Sequence, residues 1–125
     1  MFMAERFLLV SNQPNSAWAV ALRAALEPAR QVDVVPPAGA LAQSQQESYA
    51  LIVVDAAELD DLPAMIKALH WQKLAVPVVV ATASPTWQNA REAFLAGATD
   101  YLRKSLDAET LLTAFAEIQR KAAAG

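Results

Sequence analysis

The stretch Leu51-Ile52-Val53-Val54-Asp55 is a continuous apolar run of strand length that ends in a carboxylate. Strands buried on both faces of a parallel sheet have such continuous runs, whereas half-exposed strands alternate. Similar runs occur before and after it, and the last of them is the weakest. The predicted strands span 6–10, 32–35, 50–54, 77–81 and 101–102.

Segments with helical periodicity separate these runs, at 15–27, 40–47, 62–73, 85–96 and 107–121. Strand followed by helix, five times over, predicts an α/β fold with a parallel sheet and helices on both sides. The second helix is the weakest prediction because Leu41 is its only large apolar anchor. We expect that helix to be short or mobile.

Several helix boundaries have chemical signals. Ser84 is a good N-cap with Pro85 at the first helical position, and Gly97 lies where a left-handed residue would end that helix. Asp107 is expected to cap the last helix. An apolar stripe at helical spacing predicts that this last helix packs on the sheet, and its members are Leu111, Leu112, Phe115 and Ile118.

Composition limits the classes of function. The chain has 125 residues, no cysteine, and 10 basic against 13 acidic residues, for a net charge of −3. This length predicts a single domain, residues 1–125. No apolar run approaches the roughly 18 residues of a membrane span, the sequence given does not open with a basic n-region and an apolar h-region, and it contains no basic stripe. We therefore expect a cytoplasmic chain with no membrane or nucleic-acid partner, either a full protein or a domain of a longer one.

Polar residues gather where the predicted strands end. Ser11 and Asn12 follow the first strand, Asp55 ends the third, Thr82 follows the fourth, and the fifth leads into Lys104. In an open parallel sheet, ligands and chemistry lie at these carboxyl ends. The sequence therefore predicts that an acid, a hydroxyl and an amine meet at one edge of the sheet.

These residues lie in motifs that resemble the receiver domain of two-component response regulators. The motifs are LIVVD with Asp55, VPVVVATA with Thr82, and GATDYLRKS with Tyr101 and Lys104. Each is weak alone, but their order and spacing fit along essentially the whole chain. The resemblance implies a flavodoxin-like, doubly wound sheet of five strands in the order 2-1-3-4-5.

The resemblance also implies roles in phosphorelay signal transduction. Asp55 matches the phosphoacceptor, and Lys104 matches the lysine that contacts the acceptor carboxylate and the phosphoryl oxygens. Thr82 matches the hydroxyl that moves onto the phosphoryl group, and Tyr101 matches the aromatic residue that turns inward. In the family, this couples phosphorylation to a partner surface on the fourth helix, the fifth strand and the fifth helix.

The chain also departs from the family pattern. Ser11 and Asn12 stand where the family has a pair of acids that hold Mg²⁺, and Ala57 supplies only a backbone carbonyl to that site. Leu59 replaces a frequent proline, and the Lys-Pro step is here Lys104-Ser105. A non-proline cis bond costs about 2.5 to 4 kcal/mol, so we expect a trans bond.

The missing acids change the expected chemistry. Magnesium is normally held by one or two carboxylates plus waters and phosphate oxygens, and this site has one obvious carboxylate. We therefore expect no resident cofactor, weak Mg²⁺ binding at best, and a resting ion pair between Asp55 and Lys104. Phosphorylation of Asp55 should then be weak or absent, unless Glu58, Asp60 or Asp61 supplies a replacement carboxylate.

The remaining candidates are weaker. His70 is the only histidine and has no catalytic constellation around it, so we expect a helix-end residue and no enzymatic activity. Trp18 is expected to pack. Trp87 either forms an apolar partner patch with Tyr101 or folds back onto the domain.

The residues favour an atypical receiver that acts as a protein-interaction module in signalling. Its expected partners are a histidine kinase, an output domain or another signalling protein, and the charges of the last two helices permit a homodimer. One alternative is a phosphorylation-competent receiver with an altered metal site. A remote alternative is a flavodoxin-like ligand binder that uses the loop SNQPNS, although that loop lacks glycine.

Overall fold

The computed structural model describes residues 5–27, 29–57, 59–72 and 76–124. Its strands are β1 (Glu5–Val10), β2 (Arg30–Val35), β3 (Leu51–Asp55), β4 (Val78–Thr82) and β5 (Asp100–Arg103). Its helices are α1 (Ala17–Leu26), α2 (Ala40–Gln46), α3 (Leu62–Gln72), α4 (Trp87–Ala96) and α5 (Ala108–Ala124). The strands form one parallel sheet in the order β2-β1-β3-β4-β5, which confirms the predicted fold.

Two apolar layers cover the two faces of this sheet. Phe7 and Leu9 of β1 pack with α1 and α5, whereas Leu8 and Val10 pack with α2, α3 and α4. All five residues of β3 are buried. Because both faces are covered, successive residues of a strand are apolar, which explains the continuous runs in the sequence. None of the helices within the described ranges is long and apolar enough to cross a membrane.

Helix α4 begins two residues later than predicted. Ser84 was predicted as its N-cap, but Thr86 has the extended backbone of a cap, and its Oγ1 accepts from the Asn89 N–H at 3.1 Å. The Ser84 N–H instead donates to Thr82 Oγ1 at 3.2 Å. Because Ser84 belongs to this turn at the end of β4, the helix begins only at Trp87, and Pro85 lies outside it.

Gly97 ends α4 as predicted, with a left-handed φ of 118°. A Cβ at this position would lie 2.7 Å from the ring of His70, so a side chain there would be excluded by contact as well as by backbone strain. His70 lies half-buried in the last turn of α3. The glycine thus ends one helix and makes room for the end of another.

The packing of α5 and α2 corrects two predictions. Leu111, Phe115 and Ile118 are buried, but Leu112 is 40% exposed because it follows Leu111 around the helix and faces solvent. Helix α2 is short, as predicted, but Leu41 is not its anchor: Leu41 is exposed, and the small residues Ala40 and Ser44 are buried.

The N-cap of α5 is as predicted. Asp107 Oδ2 accepts from the Thr110 hydroxyl at 2.7 Å and from the Thr110 N–H at 2.9 Å. These hydrogen bonds, the side-chain bond first, lower the pKa of Asp107.

A polar cluster joins β2 to the chain between α2 and β3. The Tyr49 hydroxyl donates to Asp33 Oδ2 at 2.7 Å and accepts from Gln43 Nε2 at 2.8 Å. Arg6 Nε lies 3.9 Å from the same Asp33 oxygen. Burial of the phenol, with the nearby Asp33 carboxylate adding to it, raises the pKa of Tyr49 from 10.0 to about 12.

The N-cap assignment can be tested with paired alanine substitutions. Thr86→Ala should lower the free energy of unfolding by about 1 kcal/mol, because it removes the acceptor for the Asn89 N–H. Ser84→Ala should change it by less than about 0.5 kcal/mol, since that side chain is exposed. Urea unfolding of both variants measures the difference, and a larger loss in Ser84→Ala would contradict the assignment.

The Tyr49 cluster predicts a loss of stability at high pH. Because the folded-state pKa is raised, the contribution of neutral Tyr49 should be complete below about pH 10 and lost as pH rises toward 12. Absorbance of tyrosinate should show a late step, near pH 12, that is missing in Tyr49→Phe. A step assigned to Tyr49 at its ordinary pKa of 10.0 would contradict this cluster.

Candidate functional site

Asp55 lies at the carboxyl edge of the sheet, where the strand order reverses. The chain passes from β1 outward to β2 and then returns to β3 on the other side of β1. This reversal leaves a crevice between the ends of β1 and β3, the usual location of chemistry in an open parallel sheet. Ser11 follows β1, and Asp55 ends β3. The topology therefore places these two side chains opposite each other.

Both carboxylate oxygens of Asp55 are occupied by donors. Lys104 Nζ lies 2.7 Å from Oδ1, and the Ala57 N–H donates to the same oxygen at 2.9 Å. The Ser11 hydroxyl donates to Oδ2 at 2.8 Å. Asp55 is 1% exposed, so protein groups rather than water satisfy this charge. The predicted ion pair between Asp55 and Lys104 is present.

Ser11 and Asn12, which were predicted together as the degenerate metal site, differ in the structure. Ser11 is buried, its N–H donates to the Val35 carbonyl at 3.0 Å, and its hydroxyl oxygen accepts from the Gln13 N–H at 2.9 Å. These contacts orient the hydroxyl toward Asp55. Asn12 is exposed and makes no side-chain hydrogen bond within the described residues. Only Ser11 therefore belongs to the Asp55 site.

Trp18 belongs to the site as well as to the core. The Lys104 ammonium lies 5.0 Å from the centroid of the Trp18 ring, within the range of a cation–π contact. Trp18 is 6% exposed, and its Nε1–H has no hydrogen-bond partner in the described residues. The sequence predicts only a packing role for Trp18. Its position in the first turn of α1, directly after the polar loop that follows β1, was the available signal for a contact with the site.

Thr82 and Tyr101 line the next part of the sheet edge. The Thr82 carbonyl accepts from the Lys104 N–H at 2.8 Å, which holds the ends of β4 and β5 together. Thr82 is half-buried and forms no hydrogen bond with Asp55 in the described residues. Tyr101 is half-buried against the apolar layer formed with α3 and α4. Trp87 is 80% exposed, so the alternative in which it folds back is wrong.

The donor set is a poor match for Mg²⁺. Among the described residues, no three His, Cys, Asp or Glu side chains form a group that could hold a metal ion. The ammonium 2.7 Å from Asp55 Oδ1 would repel a cation at the same oxygen. Asp61 is engaged as the cap of α3, where it accepts from the Ala64 N–H at 3.1 Å. Asp60 is exposed, and Glu58 lies outside the described residues.

The connection after β5 is as predicted, because the Lys104–Ser105 peptide bond is trans.

Removing Lys104 should lower the free energy of unfolding more than removing the charge of Asp55. Lys104→Met leaves a buried carboxylate without its cation and should cost about 3 to 5 kcal/mol. Asp55→Asn should cost less, about 1 to 2 kcal/mol, because Lys104 is 14% exposed and its long stem can carry the ammonium to water. Urea unfolding at pH 7 of both variants and of the double variant gives the coupling energy.

Lys121→Met is the matched control for this comparison. Lys121 Nζ lies 3.8 Å from Asp100 Oδ2 at an exposed position, and its loss should cost less than about 1 kcal/mol. If Lys104→Met proves no more costly than Lys121→Met, the ion pair does not stabilise the site.

Comparisons with known proteins identify related folds. No protein-family model matches the chain. The transcriptional regulatory protein ZraR of Salmonella typhimurium is 38% identical over 74 residues, which are 58% of this chain but 17% of that protein. The chain therefore spans only a small part of this curated relative.

Two solved structures show the similarity over nearly the whole chain. A CheY-like response regulator receiver domain protein from Methanospirillum hungatei has a TM-score of 0.81 at 19% identity, covering 96% of this chain and 97% of that chain. A response regulator protein from Burkholderia pseudomallei, solved with a phosphorylated aspartic acid, a calcium ion and citrate, has a TM-score of 0.75 at 26% identity. That match covers 94% of this chain and 72% of the other.

Proposed function

We propose that this chain, a receiver domain of the response-regulator type, acts as a protein-interaction module rather than as a Mg²⁺-dependent phosphorylation switch. The observation that supports the proposal is the occupied state of Asp55. Lys104 neutralises its charge, and Ser11 and Ala57 donate to its oxygens. The proposal includes no enzymatic activity. It also places the chain in the cytoplasm.

The electrostatics of the Asp55 site support weak phosphorylation. Attack on phosphorus requires an Asp55 oxygen to leave its donors, and transfer depends on positive charge placed around the phosphoryl group. A unit charge about 4 Å from another is worth at most about 4 kcal/mol at an effective dielectric of about 20. Losing the two family acids, even after heavy discounting for desolvation, corresponds to roughly a hundredfold or more in metal affinity.

An exposed apolar surface supports a role in protein binding. Trp87, Phe94 and Leu95 on α4 are 80%, 48% and 73% exposed. Large apolar side chains of this kind anchor protein interfaces. We propose that α4, β5 and α5 contact a histidine kinase, an output domain, another signalling protein or a second copy of the chain. The net charge of −3 does not favour nucleic acid.

A second candidate function is a phosphorylation-competent receiver with an altered metal site. Asp55, Thr82 and Lys104 remain at one edge of the sheet, and the similar Burkholderia protein was solved with a phosphorylated aspartic acid. The flavodoxin-like ligand binder has less support. The N–H groups of Gln13 and Ser16, which a phosphate would need, donate within the loop at 2.9 and 3.1 Å.

Beryllofluoride with Mg²⁺, a mimic of the phosphoryl group, separates these two functions. We expect no saturable amide shifts at Thr82 or Tyr101 when both reagents are added at millimolar concentration. The double variant Ser11→Asp/Asn12→Asp should gain Mg²⁺ binding if the absent acids are the only defect. Asp55→Asn controls for shifts unrelated to the acceptor. Strong saturable shifts in the unmodified chain, absent in Asp55→Asn, would favour the phosphorylation-competent receiver.

A further inference from the structure

A cavity of about 400 Å³ lies between the chain that follows β3 and the first two turns of α4. Thr82 and Tyr101 form its end at the sheet edge, and Asp60 and Glu92 flank it. We call it the Asp60–Glu92 groove. Neither Asp55 nor Lys104 lines it. The groove is therefore separate from the Asp55 site.

The lining of this groove has a specific chemical character. Its apolar walls include Leu59, Leu62 and Pro63, and its hydrogen-bonding groups include the side chains of Ser84 and Asn89. Both of its charged residues are acids, and no Lys, Arg or His among the described residues lines it. A cavity of this size, with apolar walls and a few polar groups, is typical of a binding site.

Within the described ranges, neither Asp60 nor Glu92 forms a salt bridge. Asp61, the next acid along the chain, is different because it caps α3 through the Ala64 N–H. The groove thus presents two carboxylates without a salt-bridge partner among the described residues, and Lys67 lines the adjoining cavity with Glu92.

A second cavity, of about 600 Å³, continues from the groove along α3 and α4. It shares Pro63 and Glu92 with the groove and is lined further along by Ala64, Leu95 and Ala96, together with the charged residues Asp61 and Lys67. Leu95 is 73% exposed. We call this second cavity the Leu95 shelf. The combined surface provides acidic and hydrogen-bonding groups at one end, and apolar contacts beside Asp61 and Lys67 at the other.

We propose that the Asp60–Glu92 groove receives an arginine side chain of a partner protein, with a neighbouring apolar residue of that partner on the Leu95 shelf. A guanidinium has five donors for the carboxylates, hydroxyls and amide oxygen of the groove, and its aliphatic stem packs on apolar walls. The inference rests on the proposed interaction function and adds the chemistry of the partner. It requires no phosphoryl group.

The test uses acetyl-Leu-Arg-Leu amide as the probe, titrated into the chain without Mg²⁺ or a phosphoryl mimic. Saturable amide shifts should appear at Thr82, Asn89 and Tyr101. The same peptide with citrulline, a neutral analogue of arginine, should bind at least about threefold more weakly, as expected for loss of one ion pair. Absent shifts at these three residues, or equal binding of the two peptides, would overturn the proposal.

Two variants and a small amine complete the test. Asp60→Asn/Glu92→Gln should remove the preference for arginine, whereas Glu117→Gln, an exposed acid on α5, should retain it. Agmatine, a free guanidinium compound, should bind more weakly than the peptide. Equal affinity for agmatine would overturn the assignment to a partner protein. A phosphorylation-competent Asp55, which would contradict the proposed function, would appear only with beryllofluoride and Mg²⁺, so the two results are distinguishable.

Discussion

The ion pair between Asp55 and Lys104 determines the state of the carboxyl edge of the sheet. A carboxylate that is 1% exposed needs donors from the protein, and the fold supplies them from three separate segments. Lys104 follows β5, Ser11 follows β1, and Ala57 lies two residues after Asp55. The charge of one side chain thereby connects the ends of strands that are distant in sequence.

Ser11 affects the electrostatics of the Asp55 site through its hydroxyl. A second carboxylate at this position would repel Asp55 and require a cation between them. The Ser11 hydroxyl donates to Asp55 and is itself oriented by the Gln13 N–H. The site therefore reaches neutrality with protein groups alone. With a serine after β1, the contact with Asp55 is attractive, whereas a carboxylate there would repel it.

The sequence predicted the features that depend on pattern and order. Continuous apolar runs predicted the buried strands, and the positions of Asp55, Thr82 and Lys104 at strand ends predicted their shared edge. The ion pair was predicted from the resemblance, because Ser11 and Asn12 stand where the family has two acids. Features that depend on competition between neighbouring residues were harder to predict from the sequence. Ser84 and Thr86 are both good capping residues, and only the turn made by the Ser84 N–H onto Thr82 selects Thr86. The contact between Trp18 and Lys104 joins α1 to the end of β5, and no short motif encodes it.

The position of Trp18 has a further consequence, for spectroscopy. Trp71 and Trp87 are 66% and 80% exposed, so their emission reports solvent, whereas Trp18 is 6% exposed and lies against the Lys104 ammonium. Departure of that ammonium would alter the electric field across the Trp18 indole. The chain thus contains an intrinsic fluorophore beside the ammonium that pairs with Asp55, and replacing the two exposed tryptophans would isolate its signal. Rearrangement of the site would then be measurable without an added label.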